Sequence, residues 1–273
     1  VVLNAAGVEA FNKKIIAASP TVYDMAAYPK TLSGKTVAAY VNTHTDLSDQ
    51  LYREGKLVSD NYKNILRSQT NAAAIPAEVT VRYGVTVRRA NLRNLPTGEG
   101  LFFYASDRNF DALQETALDP GEAVAILHTS TNGYFYYVQA YNYRGWLSKF
   151  DVAETDRSTW SRYAEPKNFL TVVAKDYALK ADGAQVLFQQ GARLQLADKK
   201  TSAYTVKVPV RTKEGKLQED KVVLAVNASL HEGYLPYTTN NIIRSAFQFY
   251  DSVYGWGGLQ QSVDCSSFIS NAY

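Results

Sequence analysis

The sequence predicts a multidomain, mainly β chain. An irregular helical N-terminal segment comes first, two small β-barrels follow, and a helical segment ends the chain. Three observations carry this reading. The 273 residues exceed what one hydrophobic core usually organises. Short β-rich runs separated by tight turns fill residues 78–235. After about residue 239 the apolar period becomes helical. A hydrophobic share of 46% with 20% charged residues is ordinary for a folded protein.

Residues 1–77 form the first unit. "VEAFNKKIIAAS" places Val8, Phe11, Ile15 and Ile16 roughly on one helical face, and Pro20 ends the helix. "SDNYKNILRSQT" is a second, weaker helix, and Pro29 and Pro76 punctuate the segment. The unit reads as an arm packed on something else. His44 lies among hydroxyls in "NTHTDLS" and reads as a solvated loop histidine.

Residues 78–155 switch to short strands. "EVTVRYGVTVRRANLRNLP" alternates and then turns at Pro96-Thr97-Gly98. "GEAVAILHTS" and "YFYYVQAYN" flank an Asn-Gly pair, a strong hairpin signal. "RGWLSKFDV" closes the unit. Short strands, tight turns and a late Gly-Trp strand fit a small barrel of the SH3 type. The polar stretch "ETDRSTWSRYAEPK" reads as a connection. Residues 166–235 repeat the pattern loosely, with "KEGK" as the hairpin turn, and read as a second SH3-like barrel. In residues 239–273, "NNIIRSAFQFYDSVYGW" puts Ile243, Ala246, Phe247, Tyr250 and Val253 on one helical face, with Thr239 or Asn240 as N-cap. Gly255, Gly257 and Gly258 break that helix, and a second begins at Asp264-Cys265.

The net charge of +3 has no dense basic cluster behind it, which argues against a nucleic-acid partner. No apolar run reaches the length of a membrane span. No metal-ligand cluster or phosphate loop is visible, so no cofactor is implied. Twenty tyrosines suit half-buried strands and surfaces that bind sugars or peptides. The chain opens on Val1 without a signal-type apolar stretch. That start reads as processed or trimmed, as in an exported envelope protein after cleavage or a trimmed cytoplasmic one.

Cys265 is the one cysteine, so no disulfide forms within the chain. A lone cysteine is most often a small buried hydrophobe. Three features favour a reactive thiol instead. Its neighbours Asp264, Ser266 and Ser267 are polar, the preceding glycines let backbone approach a ligand, and Tyr254 and Trp256 bring rings beside it. A thiolate is favoured at a helix N-terminus, where free N–H groups and the helix dipole face it.

"YGWGG" followed by "DCSSF" resembles the catalytic start of the NlpC/P60 cysteine peptidases, papain-like enzymes of bacterial cell-wall turnover. Upstream stretches, among them "NLRNLPTGEGLFF" and "GYLPYTTNNIIRSAFQFYDSVYGWGG", resemble the subgroup with a clip segment, two bacterial SH3-like domains and a papain-like α+β peptidase domain. The resemblance implies a γ-D-glutamyl-L-diamino-acid endopeptidase acting on peptidoglycan stem peptides or muropeptides. It makes Cys265 the nucleophile that forms a thioester. The Cys265 N–H and the Tyr254 hydroxyl would stabilise the oxyanion, and Trp256, Asp264 and Ser266 would line the substrate cleft. The first SH3-like domain would favour a free N-terminal L-alanine, with Tyr134 and Tyr136 as candidate contacts.

In that family the activating His and its orienting partner follow the cysteine in sequence. His44, His128 and His231 all precede it, and none is assigned as base. The sequence therefore reads as lacking the C-terminal part of the peptidase domain, and inactive by itself. Two other readings stand beside the peptidase. One is a non-catalytic binder of cell-wall peptides built on SH3-like domains; the other is a papain-like amidase or acyltransferase.

Overall fold

In the computed structural model, which describes residues 2–273, helix α1 (Ala5–Ala18) starts at Asn4. The Asn4 side chain accepts from the Gly7 N–H at 2.8 Å, and the helix stops at Ser19, before Pro20. Its expected packing face stays in solvent: Phe11, Ile15 and Ile16 are exposed and the helix buries no residue. The rest of the segment is better anchored. It comprises β1 (Thr31–Ser33), α2 (Gly34–Val41), a small hairpin of β2 (Tyr52–Arg53) and β3 (Lys56–Leu57), α3 (Asp60–Gln69) and β4 (Glu78–Thr80). Strand β1 pairs antiparallel with β4, Leu32 facing Val79.

The first barrel contains β5 (Arg82–Thr86), β6 (Ala90–Arg93), β7 (Gln114–Leu118), β8 (Ala123–Thr129), β9 (Phe135–Gln139), β10 (Arg144–Ser148) and β11 (Val152–Thr155). They form one antiparallel sheet in the order β11-β5-β8-β9-β10-β6-β7. The apolar run in β8 is explained by burial on both faces. Val124 and Ile126 point into the barrel with Leu92, Val138 and Leu147. Ala123, Ala125 and Leu127 point outward against Val37, Val41 and Val79 of the N-terminal segment. A separate core of Leu47, Leu51, Val58 and Leu66 against Leu95, Leu101 and Leu113 fastens that segment to the long β6–β7 loop.

The polar connection folds as a helix, α4 (Arg157–Ala164), capped by Asp156. Its buried face is aromatic. Trp160 is fully buried, and its indole N–H donates to the Val124 carbonyl at 3.1 Å. Two aromatics on one side of a short, well-capped helix outweigh its polar average.

The second barrel holds β12 (Phe169–Val172), β13 (Asp176–Ala181), β14 (Ala184–Gln189), β15 (Arg193–Lys199), β16 (Ala203–Arg211), β17 (Leu217–Ala225) and β18 (Leu230–Glu232). Strands β17-β16-β15-β12-β18 make one sheet, and β13-β14 form a separate hairpin. Leu170, Phe188, Leu194, Val206 and Val208 share its core. The chain is thus mainly β and multidomain, as its patterning predicts.

The last segment holds α5 (Thr239–Phe247) and α6 (Cys265–Ala272). The cap of α5 is Thr238, one residue before the expected position, because its hydroxyl reaches the Asn241 N–H at 3.2 Å. The helix also ends at Phe247, short of Val253, and the chain turns through Asp251 at φ +62°. The expected apolar face does not pack: Ile243, Phe247, Tyr250 and Val253 are exposed. Phe249 is buried instead and meets Phe268 of α6 edge-to-face at 6.3 Å. No helix among the described residues is long and apolar enough to cross a membrane.

Candidate active site

Cys265 is the first residue of α6, and it is exposed. Asp264 caps the helix. One carboxylate oxygen accepts from the Ser267 N–H at 2.8 Å and the Ser266 hydroxyl at 3.0 Å, while the Ser267 hydroxyl accepts from the Asp264 N–H at 2.9 Å. This reciprocal capping box fixes the first turn and leaves the Cys265 side chain at the helix N-terminus. The other oxygen of Asp264 accepts from the Gly257 N–H at 3.1 Å. Partial burial pushes the Asp264 carboxyl up, but the hydrogen bonds from Ser267, Ser266 and Gly257 outweigh it and hold the group below its usual range.

The turn before the helix is shaped by two glycines. Gly257 and Gly258 have φ of +53° and +78°, backbone that an L side chain resists. Space forbids a side chain as well. A Cβ on Gly257 would lie 2.6 Å from Gln114 Cγ, and one on Gly258 would lie 2.8 Å from the Ala117 Cβ. The turn lies flat on β7 of the first barrel. Gln114 Nε2 donates to the Gly257 carbonyl at 2.9 Å, and Arg89 Nη2 donates to the Gly258 carbonyl at 3.1 Å.

A cavity of about 280 Å³ opens beside Cys265, lined by Phe249, Val253, Tyr254, Val263, Asp264 and Phe268 among others. Tyr254 and Cys265 both line it, and the neighbouring thiol pushes the Tyr254 phenol above its usual range. Trp256 and Ser266, expected as cleft residues, are not in that lining. Trp256 instead turns its indole N–H to the Asp111 carbonyl at 3.0 Å, and Ser266 points to Asp264. Phe110 packs against both Tyr254 and Trp256, with ring centroids 6.0 and 5.5 Å apart. A loop of the first barrel therefore packs against the aromatic rings that precede Cys265. Tyr134 and Tyr136 contribute nothing to it. Tyr134 packs on Phe150, and the Tyr136 hydroxyl donates to Glu154 at 2.9 Å.

Sequence reasoning missed Asp111, Phe110, Gln114, Glu115 and Tyr143. Tyr143 is half-buried, and its phenol is pushed up by burial first and then by the charges of Asp264 and Glu115. These residues lie in "FDALQETALDPGEAVAILHTSTNGYFYYVQAYNYRGWLS", a stretch that carries the family resemblance, but no local signal marks their roles. The three histidines are engaged elsewhere: His44 with the Thr45 carbonyl, His128 with that of Asn71 and His231 with that of Gly233.

A family model described as an SH3 domain of the SH3b1 type matches residues 101–148. A solved NlpC/P60 endopeptidase from Photobacterium damselae subsp. piscicida superimposes with a TM-score of 0.65 at 19% identity, covering 88% of this chain and 61% of that one. An NlpC/P60 family protein from Bacillus cereus ATCC 10987 matches at a TM-score of 0.47 and 17% identity, covering 59% of this chain and 54% of that one. No curated protein matches the chain. It spans about three fifths of the length of the endopeptidase whose fold it shares. Residues 101–148 thus match an SH3 domain of the SH3b1 type, and over most of its length the chain shares its fold with a solved NlpC/P60 endopeptidase.

Proposed function

We propose that these residues form the front of a cysteine peptidase site that cleaves peptidoglycan stem peptides between D-glutamate and the diamino acid. The observation that carries the reading is the exposed Cys265 at a capped helix N-terminus, opening on a cavity that Tyr254 also lines. Cys265 Sγ would attack the γ-amide carbonyl carbon to give a tetrahedral oxyanion. The Cys265 N–H and the Tyr254 hydroxyl are the donors for that charge. The C–N bond then breaks, the amine leaves with a proton, and water hydrolyses the thioester. His44, His128 and His231 are all bonded elsewhere, so none of them is assigned as the base that activates the thiol.

The same reading includes a preference for a free N-terminal ammonium on the substrate, as the family resemblance implies. The test is incubation of the full-length polypeptide with L-Ala-γ-D-Glu-diamino acid peptides, beside Cys265→Ala. Cleavage by the parent protein alone is expected; equal cleavage by both would remove Cys265 as nucleophile. N-acetylation of the alanine should slow cleavage, and equal rates would remove the ammonium subsite. The sequence reading of an exported envelope protein fits this substrate and is part of the same proposal. Binding of stem peptides without hydrolysis by the full-length polypeptide would favour the alternative of a non-catalytic cell-wall binder.

A further inference from the structure

We propose that Arg93 and Gln114 of the first barrel are positioning residues for Cys265, so that the barrel sets the geometry of the nucleophile's helix. The inference rests on the reading of Cys265 as nucleophile. Arg93 is a buried cation, its side chain 5% exposed, at the end of β6. Its guanidinium spends its donors on one loop. Nε donates to the Thr97 carbonyl at 3.2 Å and Nη2 to the Glu99 carbonyl at 2.6 Å. Nη1 donates to Asp111 Oδ2 at 2.5 Å and to Gln114 Oε1 at 3.0 Å. The planar fork suits such a hub, and a lysine cannot reproduce it.

Both anionic and amide partners pass the constraint on. Asp111 Oδ1 accepts from the N–H groups of Leu101 and Leu113, which fixes the loop, and its carbonyl receives the Trp256 indole N–H. Gln114 is held through Oε1 by Arg93, which leaves its Nε2 to donate to the Gly257 carbonyl at 2.9 Å. That same amide also reaches the Thr116 carbonyl and Asn91 Oδ1, at 3.0 and 3.2 Å. Gly257 in turn gives its N–H to Asp264, and Asp264 caps the helix that begins at Cys265. Every link is a hydrogen bond between named atoms, and Arg93 and Gln114 are both under 6% exposed. Neither touches the cavity beside Cys265. Their role is to hold the turn that holds the cap.

The experiment compares Gln114→Met, which keeps the volume without the hydrogen bonds, and Arg93→Lys, which keeps the charge without the fork. Circular dichroism melts first establish that each variant folds. Three readouts follow: iodoacetamide alkylation of Cys265 at pH 7 read by mass spectrometry, exchange of the Trp256 indole proton by NMR, and kcat and KM on stem peptides with the full-length polypeptide. Loss of the held turn should slow alkylation about threefold to tenfold, the worth of one net hydrogen bond. Trp256 exchange should quicken, as a merely stabilising role elsewhere in the barrel would not require. Misplacement of the nucleophile should lower kcat about tenfold to a hundredfold with KM little changed. Folded variants with parental alkylation and indole exchange would overturn the proposal, whatever hydrolysis shows. Slower alkylation in the variants of a parent that cleaves no stem peptide would uphold the positioning and sink the peptidase reading.

Discussion

Replacing Gly257 by alanine tests whether the turn is held by both backbone conformation and space. The residue sits at φ +53°, where an L side chain costs about 1–2 kcal/mol. The added methyl would lie 2.6 Å from Gln114 Cγ, 3.3 Å from the Glu115 carbonyl and 3.4 Å from the Gln114 carbonyl. Two of these three atoms are β-strand backbone and cannot swing away, so overpacking adds about 1–3 kcal/mol. The sum, about 2–5 kcal/mol, falls on the docking of residues 256–272 and not on the barrels. Native-state hydrogen exchange reads such local openings. A loss of about 3 kcal/mol corresponds to a protection decrease of more than about a hundredfold in α6. Strands β8 and β16 should keep their protection. Gly98→Ala is the control, because nothing lies within 4 Å of its Cβ and its φ is ordinary. Unchanged protection of α6 in Gly257→Ala would refute the reasoning. An equal loss in Gly98→Ala would show that the methyl's position is irrelevant.

Three further outcomes follow from the same structure. Trp160→Ala removes a fully buried indole and its bond to the Val124 carbonyl, and should destabilise the first barrel by about 3–5 kcal/mol in a urea titration. The folded Asp264 carboxyl titrates below its unfolded value, so its capping contribution is complete well above that value and is lost as pH falls through the folded one. Protection of α6 should hold at about pH 5 and drop below about pH 4, and Asp264→Asn should flatten this dependence. Burial pushes His128 down, so its neutral form is favoured in the fold and stability declines as pH falls from about 6.5. Melting temperatures between pH 7.5 and 5.5 should fall less steeply in His128→Gln than in the parent; equal slopes would remove His128 as the cause.

Much of the architecture was legible because its signals are local. Strand alternation, the Asn-Gly turn and the helix at Asp264-Cys265 each lie within about ten residues, and each element formed where its pattern placed it. The setting of Cys265 was legible for the same reason, since Tyr254, the glycines and Asp264 lie close together in the chain. The connecting helix α4 was hidden because Trp160 and Tyr163 carry its burial while the rest is polar. The face of α5 was misread because periodicity reports an apolar side and not what covers it; Ile243 and Phe247 satisfy the pattern and remain exposed. Which residues of the first barrel wall the final segment was not legible from local pattern. Asp111 and Trp256 meet from 145 positions apart, and Gln114 reaches Gly257 across 143. No spacing rule connects residues brought together only by the closure of a barrel.

The way the final segment is held explains why that wall matters. Helix α5 buries only Ser245 and α6 only Ala272, so apolar burial alone fixes neither in place. What orients the segment is a set of directional bonds to both barrels. Arg89 and Gln114 hold the glycine turn from the first barrel. From the second, Gln189 donates to the Ser262 carbonyl and accepts from Asn271, both at 3.3 Å. Asp119 ties the two barrels together at this point, since its Oδ1 takes both the Arg89 guanidinium at 3.2 Å and the Gln189 N–H at 2.9 Å. Hydrogen bonds specify angle and distance where apolar contact specifies only proximity. A nucleophile must meet its target within a fraction of an ångström, and an array of such bonds on a rigid barrel supplies that definition. The SH3-type barrels are therefore part of the site's framework: without β7 and its Arg93-held loop, the sequence Trp-Gly-Gly has no surface on which to adopt the turn that presents Cys265.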